Sequence, residues 1–459
     1  MLALLWIAAI SVSAMIAGTT GVPVISVALV AGCVVMLWHF LSESADILDP
    51  RAGFFLAVLL FLALPNLVLA YQFGREGMLF HSTLVRRLVV ERADFERVQL
   101  LLALGIASVS AGLLLSPRVR LSDRDGEPYS AGRLVLLVYT VTVIIASALT
   151  FAQFGSFTAL LVSAINPVAR LANASSRGGS GISGILVFIV TMSAYYLCRG
   201  LRHRSVGLPL FLPAIVMVLP LANRGTIVEI LMIMALAVSD LKVRAPFAIL
   251  VGAALLLPPF AGALVAARNN TFGAAGDFSV EGLYRGFADD SPMVAVFAMT
   301  LGALRRGAVD YTYGLDLIMF PLWYVPRLFW PTKPMPLDFR LNAALGLNDG
   351  IPFGTPIGLF GGVFMNFTLL AYVPVLWVFG WSISSLYGRF RNDRLVLLLF
   401  FVFVIDIVRV GDLSRELVTL SVGLFAVWFV RRFAERKSVL QSPVDRPGLL
   451  GAQRGALAC

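Results

Sequence analysis

The sequence predicts an all-α polytopic integral membrane protein, and three observations carry that expectation. Of its 459 residues 59% are apolar and only 14% charged, where soluble domains carry roughly 25% charged residues. Mean hydropathy is +0.88. The apolar residues fall into runs long enough for helices to cross a bilayer, for which roughly 20 residues suffice.

Taken in order, the runs predict about twelve helices: 2–18, 22–41, 53–71, 98–115, 134–152, 183–198, 208–222, 226–239, 246–265, 364–387, 394–410 and 416–430. The first lacks a basic leader, so it reads as a retained span and not a cleaved signal. This divides the chain into an N-terminal bundle of about nine helices (1–265), a long segment between spans (266–355), C-terminal helices (356–430) and a basic tail (431–459).

Basic residues in short loops set orientation. Arg118, Arg120, Arg124 and Arg133 share one loop; Arg199, Arg202 and Arg204, then Lys242 and Arg244, then Arg389, Arg391 and Arg394 occupy others. The tail adds Arg431, Arg432, Arg436 and Lys437. Twelve spans put all of these, with both termini, on the cytoplasmic side. The loop 72–97 falls outside although it holds Arg75, Arg86, Arg87, Arg92 and Arg97; four acids accompany them. Leu84, Val85, Leu88 and Val89 fit one helical face, so an interfacial helix is expected there. In 266–355 two further apolar pieces, Pro292–Leu304 and Leu315–Trp330, read as external half-buried helices. If both crossed, fourteen spans would keep the parity and turn Arg305 and Arg306 to the cytoplasm.

A formal charge of +10 arises from basic residues that punctuate apolar runs, which indicates topology and anionic lipid and excludes nucleic acid. Cys33, Cys198 and Cys459 are scattered, so neither a disulfide framework nor a metal site is expected.

Candidate site residues are the charges near span ends, because a charge at the bilayer centre costs about 2.5–3.5 kcal/mol on insertion scales. Arg224 stands in the hairpin Asn223-Arg224-Gly225, either toward an anionic ligand or toward headgroups and Glu229. Arg268 follows the ninth span as an anchor or ligand contact. Asp289 and Asp290 precede Ser291-Pro292, a helix-start signature; capping comes first, with a general base or a divalent cation as alternatives. Asp406 and Arg409 share a helix face as an i,i+3 ion pair. The segment Tyr313–Pro334 is broken by Pro321, Pro326, Pro331 and Pro334, so no straight span forms. Its rings Trp323, Tyr324, Phe329 and Trp330 suit headgroup depth, and it carries Arg327 and Lys333. A glycine-rich stretch from Asn173 within 154–184 serves as an anion-binding turn or a flexible linker. Guanidinium forks match phosphate oxygens, so the whole set suggests an anionic, lipid-attached substrate.

These motifs resemble those of the bacterial oligosaccharide repeat-unit polymerases, the O-antigen polymerase family. The resemblance rests on Asn223-Arg224-Gly225, Phe287-Ala-Asp289-Asp290-Ser, Tyr313-Gly314 and the Pro326-Arg327…Trp330-Pro331-Thr-Lys333-Pro334 run. Gly354-Thr355-Pro356-Ile357-Gly358 and Val410-Gly411-Asp412-Leu413 complete it, over about residues 220–415. Leu359 stands where members often have an acid, and Val410 separates Arg409 from Gly411. The resemblance implies a GT-C-like glycosyltransferase of the inner membrane, active at its periplasmic face. It implies an undecaprenyl-pyrophosphate-linked oligosaccharide as substrate, with a chain-length regulator and a flippase as partners and no metal or cofactor. It implies pyrophosphate contacts for Arg224, Arg268, Arg327, Lys333 and Arg409, and a base at Asp289 or Asp290. A ligase of the same donor is the nearest alternative, and a flippase is the alternative from another class. Ligases typically use a histidine in the large external loop, and His39, His81 and His203 all lie outside 266–355.

Overall fold

The computed structural model describes residues 24–44, 48–76, 79–82, 87–116, 137–145, 278–319, 337–346, 356–391, 393–411 and 413–440, with a few isolated residues besides. The predicted spans at 2–18, 183–198, 208–222 and 226–239, and nearly all of 246–265, lie outside them. The elements are α1 (Val24–Ser44), α2 (Pro50–Val58), a π-helical turn (Leu59–Ala63), α3 (Leu64–Glu76), strands β1 (Leu79–Ser82) and β2 (Arg87–Val90), and α4 (Arg92–Leu115). After these come α5 (Val280–Asp290), α6 (Met293–Arg305), α7 (Leu315–Ile318), α8 (Leu337–Ala344), α9 (Gly358–Phe390), α10 (Arg394–Val410) and α11 (Leu413–Leu440).

The protein is a helical membrane protein. Among the described residues four helices are long and apolar enough to cross a bilayer: Val24–Ser44, Pro50–Gly74, Arg92–Leu115 and Gly358–Phe390. A fifth is added if α5 and α6, bent by 52° at their junction, count as one broken span. The π turn lets α2 and α3 run on as a single span, a common form of local insertion in helices.

Glycines set how closely these helices pack. A Cβ on Gly112 would lie 2.1 Å from the Trp377 carbonyl oxygen, and one on Gly380 would lie 2.2 Å from that of Val109. Helices α4 and α9 therefore meet backbone to backbone, as small residues permit in lipid. Tyr372 closes the seam by donating its hydroxyl to the Leu101 carbonyl at 2.8 Å. A buried polar knot ties α1, α3 and α4: Gln99 donates to Ser26 Oγ at 2.7 Å, as does Asn66 at 3.3 Å.

The bundle has two ends. At one, Ser116 and Ser385 share a hydrogen bond of 3.0 Å. Arg51 lies there between the rings of Phe40 and Tyr387, 4.8 and 4.4 Å from their centroids. Asp49 receives the Arg51 guanidinium at 2.8 Å and also accepts from the Arg51 backbone N–H, capping α2. At the other end, Arg305 pairs with Glu91 and, at 3.4 Å, with Asp94.

Arg305 and Arg306 thus share an end with Glu91 and lie opposite Ser116. Two expectations change. The stretch around Leu88 and Val89 is not an interfacial helix but an antiparallel hairpin, with Leu79 opposite Val90 and His81 opposite Leu88. The consecutive valines Val89–Val90 suit an extended backbone better than a helix. Helix α6 is not half-buried outside the bundle: Val294, Val296, Phe297 and Ala298 are fully enclosed against α4 and α9. Its apolar residues leave no solvated face.

Cysteines at Ala308 and Glu96 are expected to react with an impermeant maleimide from one side of the membrane, and one at Arg391 only from the other. Equal labelling of Ala308 and Arg391 from one side would refute the arrangement. Replacing Gly112 by leucine should cost about 3 kcal/mol, the upper end for overpacking. Thermal unfolding in detergent, with the exposed Leu114→Ala as control, measures it.

Candidate functional site

Helix α9 is not one 33-residue rod. Thr368 within it has φ 57° and ψ −178°, a left-handed value that a β-branched residue adopts only under constraint. Leu359 and Leu386 line the same cavity of about 330 Å³, although an unbroken helix would hold them about 40 Å apart. The ring of Phe54 is 6.5 Å from that of Phe360 and 6.3 Å from that of Phe379, residues about 28 Å apart along a straight helix. The chain therefore reverses at Thr368. Residues 358–367 form a half-helix folded against the span that follows.

Local sequence explains the reversal. Pro374 cannot donate to the Leu370 carbonyl, so helical continuity is weakest just after Thr368. The turn is held from outside: Thr312 donates its backbone N–H to the Met365 carbonyl at 2.9 Å, and its hydroxyl bonds Asn366 Oδ1 at 2.9 Å. Asn366 in turn donates to the Gly362 carbonyl. The Tyr311 ring packs at a tilt, 5.7 Å from that of Phe364, and burial raises its phenol above the ordinary value. Gly314 takes φ 79° as the residue before α7, and a Cβ on it would lie 3.8 Å from the Phe367 ring.

The base of the half-helix meets two more chain breaks. A Cβ on Gly358 would lie 3.2 Å from the Val408 carbonyl and 3.4 Å from Met293 Cβ. One on Gly411 would collide with the Gly358 carbonyl at 2.1 Å, and one on Gly362 with the Gly411 carbonyl at 2.1 Å. Gly358 and Gly411 also require φ near +75°, which glycine supplies without strain. Non-helical backbone at membrane depth is tolerated where protein encloses it or a cavity needs it, and half-helix ends in membrane bundles are established ion and anion sites.

Of the expected site residues, Arg409 is the one fully described. It lies one turn from the Gly411 crossing and donates to Asp406 at 2.9 Å, the expected i,i+3 pair. Asp289 and Asp290 are the last two residues of α5, beside the buried Ser291 and Met293 at the break. They do not start a helix as predicted, because Val280–Ala288 is itself helical and Pro292 occupies the N-cap of α6 without a side-chain bond. Arg224, Arg268, Arg327 and Lys333 lie outside the described residues, as do the hairpin around Asn223 and the glycine-rich stretch after Asn173. An ion pair between Asp316 of α7 and Arg340 of α8 clasps these two helices together. Sequence reading missed Thr312, Asn366 and this clasp, which have no motif of their own. No group of histidine, cysteine and acidic residues able to hold a metal occurs among the described residues.

Comparison with protein-family models, with curated proteins and with solved structures finds no match.

Gly411→Ala should unfold the crossing, whereas Gly307→Ala, with φ +68° and open space around it, should cost only the left-handed penalty of about 1–2 kcal/mol. Thermal unfolding of both separates collision from strain, and equal losses would show that the close approach carries no weight.

Proposed function

We propose that the protein polymerises undecaprenyl-pyrophosphate-linked oligosaccharide repeat units into a surface polysaccharide at the periplasmic face of a bacterial inner membrane. One observation supports this reading above the others. Three of the motifs that carry the family resemblance, dispersed from Tyr313 to Gly411, gather on one folded-back half-helix, and Met293, just after the Asp289-Asp290 motif, packs against its start. Arg409, the candidate cation among the described residues, stands two residues from that junction and is held by Asp406.

In this reading the end of the bundle bearing Glu91 and Arg305 is periplasmic and both termini are cytoplasmic. The lipid-linked glycan binds through its pyrophosphate to Arg409, with Arg224, Arg268, Arg327 and Lys333 as further cations. A hydroxyl oxygen of the incoming unit attacks the anomeric carbon of the growing chain, and the carbon–oxygen bond to pyrophosphate breaks with its electrons leaving on phosphate. The hydroxyl proton passes to Asp289 or Asp290, a general base suited to the task. Fixed guanidiniums, one of them oriented by Asp406, stabilise the leaving charge without reorganising. The diphosphate already activates the donor, so the step needs no metal.

Purified protein with synthetic lipid-linked units is expected to yield polymer ladders and free undecaprenyl pyrophosphate. Arg409→Ala and Arg327→Lys should slow ladder growth by about 100-fold, the loss typical of one charge-stabilising donor. Transfer to a lipid A core in place of ladder growth would identify a ligase. Movement of substrate between leaflets without ladders would identify a flippase.

A further inference from the structure

A second cavity, of about 150 Å³, opens where the start of α4, the second half of α6 and the end of α8 meet. Its polar lining is Glu91, Asp94 and Arg306, and Met299, Gly302 and Ala344 are among its apolar walls. Asp94 decides what it takes. The residue is 2% exposed, and its Oδ1 has no hydrogen-bond partner. Arg97 Nη1, at 3.6 Å, is too far to donate to it. A buried carboxylate oxygen left so costs on the order of 1–3 kcal/mol, which a donor in the cavity would recover.

Charge favours a neutral ligand. Among the described residues both carboxylates already have guanidinium partners, Glu91 with Arg305 and Arg306 and Asp94 with Arg305 and Arg97, so a cation finds no uncompensated charge. An anion would meet the Asp94 oxygen that lacks a donor. A neutral ligand with adjacent hydroxyls suits both groups, donating one hydrogen bond to Asp94 and accepting one from Arg306. Gly302 permits the pairing, since a Cβ there would lie 2.7 Å from Asp94 Oδ2 and 3.2 Å from Arg306 Nη1. The space suits one sugar ring, being smaller than the roughly 300 Å³ or more of pockets for larger ligands.

We propose that the Asp94 cavity is a saccharide subsite that holds one pyranose ring by adjacent hydroxyls. That this ring belongs to the polymerase's own oligosaccharide rests on the function proposed above. Gly302 stands nine residues along α6 from Met293, about 13 Å from the junction of broken helices, so the ring held here is not the reacting one. Binding of such a remote unit can be spent on orientation at the reacting centre.

Saturation-transfer NMR of the full chain in detergent, with free glucose, galactose, rhamnose and N-acetylglucosamine as probes, tests the site. At least one pyranose should receive saturation, and the signal should fall at least tenfold in Asp94→Asn and in Ala344→Trp, whose exposed position fills the mouth without disturbing the core. No transfer to any of the four, transfer that survives both variants, or equal displacement by glycerol or ethanolamine would overturn the proposal. Ladder synthesis separates the two ideas. Wild-type ladders unchanged in length and rate by Asp94→Asn would sink the subsite and leave the polymerase. Pyranose binding lost in both variants of a protein that builds no ladders would keep the subsite and sink the polymerase.

Discussion

The close approach of Gly358, Gly362 and Gly411 is the constraint on which the rest of the described structure depends. Carbonyl oxygens of one segment occupy the space where a Cβ of the other would be, at 2.1 Å in two places. No side chain can enter that crossing, so the half-helix and the end of α10 are fixed relative to one another by backbone, and the Met293 side chain after the α5–α6 break packs against Gly358. In lipid there is no hydrophobic gain from bringing apolar helices together, and close van der Waals fit takes its place. Helix α4 uses the same device along its length through Gly105 and Gly112. A bundle assembled in this way is stiff where it is glycine-tied, and the stiffness falls at the broken helices.

Stiffness there has a chemical use. A site that stabilises a departing diphosphate gains most from dipoles and cations already in place. The half-helix start and the Asp406-oriented Arg409 are held by contacts within the protein. Thr368 stores backbone strain, and Thr312 and Asn366 hold it with three hydrogen bonds. Strain of that kind, at a reversal inside a membrane bundle, is a common mark of functional positions. At the end bearing Glu91, the hydrogen bond and charge of Arg305 hold the Glu91 carboxyl below the ordinary carboxylate range, so that pair is intact at neutral pH and is lost only as pH falls through the lowered pKa.

Much of the bundle was legible because apolar run length answers to bilayer thickness. Spans predicted at 22–41, 53–71 and 98–115 correspond to α1, α2–α3 and α4 within a few residues at most ends. The alternation of spans also put Glu91 and Ser116 at opposite ends of one helix, as the Arg305 and Ser385 contacts have them, although the basic residues of 72–97 argued against that loop's side. What stayed hidden was reversal. The predicted span 364–387 reads as one continuous apolar run, and hydropathy carries no sign for direction; the reversal at Thr368 falls inside it. The acidic pair was misread for a related reason. Asp290-Ser291-Pro292 does mark a helix start, but a second helix, α5, ends on it, and local capping rules describe one helix at a time. The half-helix junction itself was partly legible, since Gly358 and Gly411 stood in motifs singled out for resemblance. Their mutual approach was not, because nothing in spacing shows which glycines touch.

The reversal at Thr368 is tested most directly by a distance across it. Cysteines at Leu359 and Val378, each reactive alone toward a permeant thiol reagent, should be joined within one chain by a bifunctional reagent too short to span 28 Å, the separation in a continuous helix. The fold described here predicts that cross-linked peptide in high yield, since both residues line one cavity. Two reactive cysteines that never cross-link would contradict it.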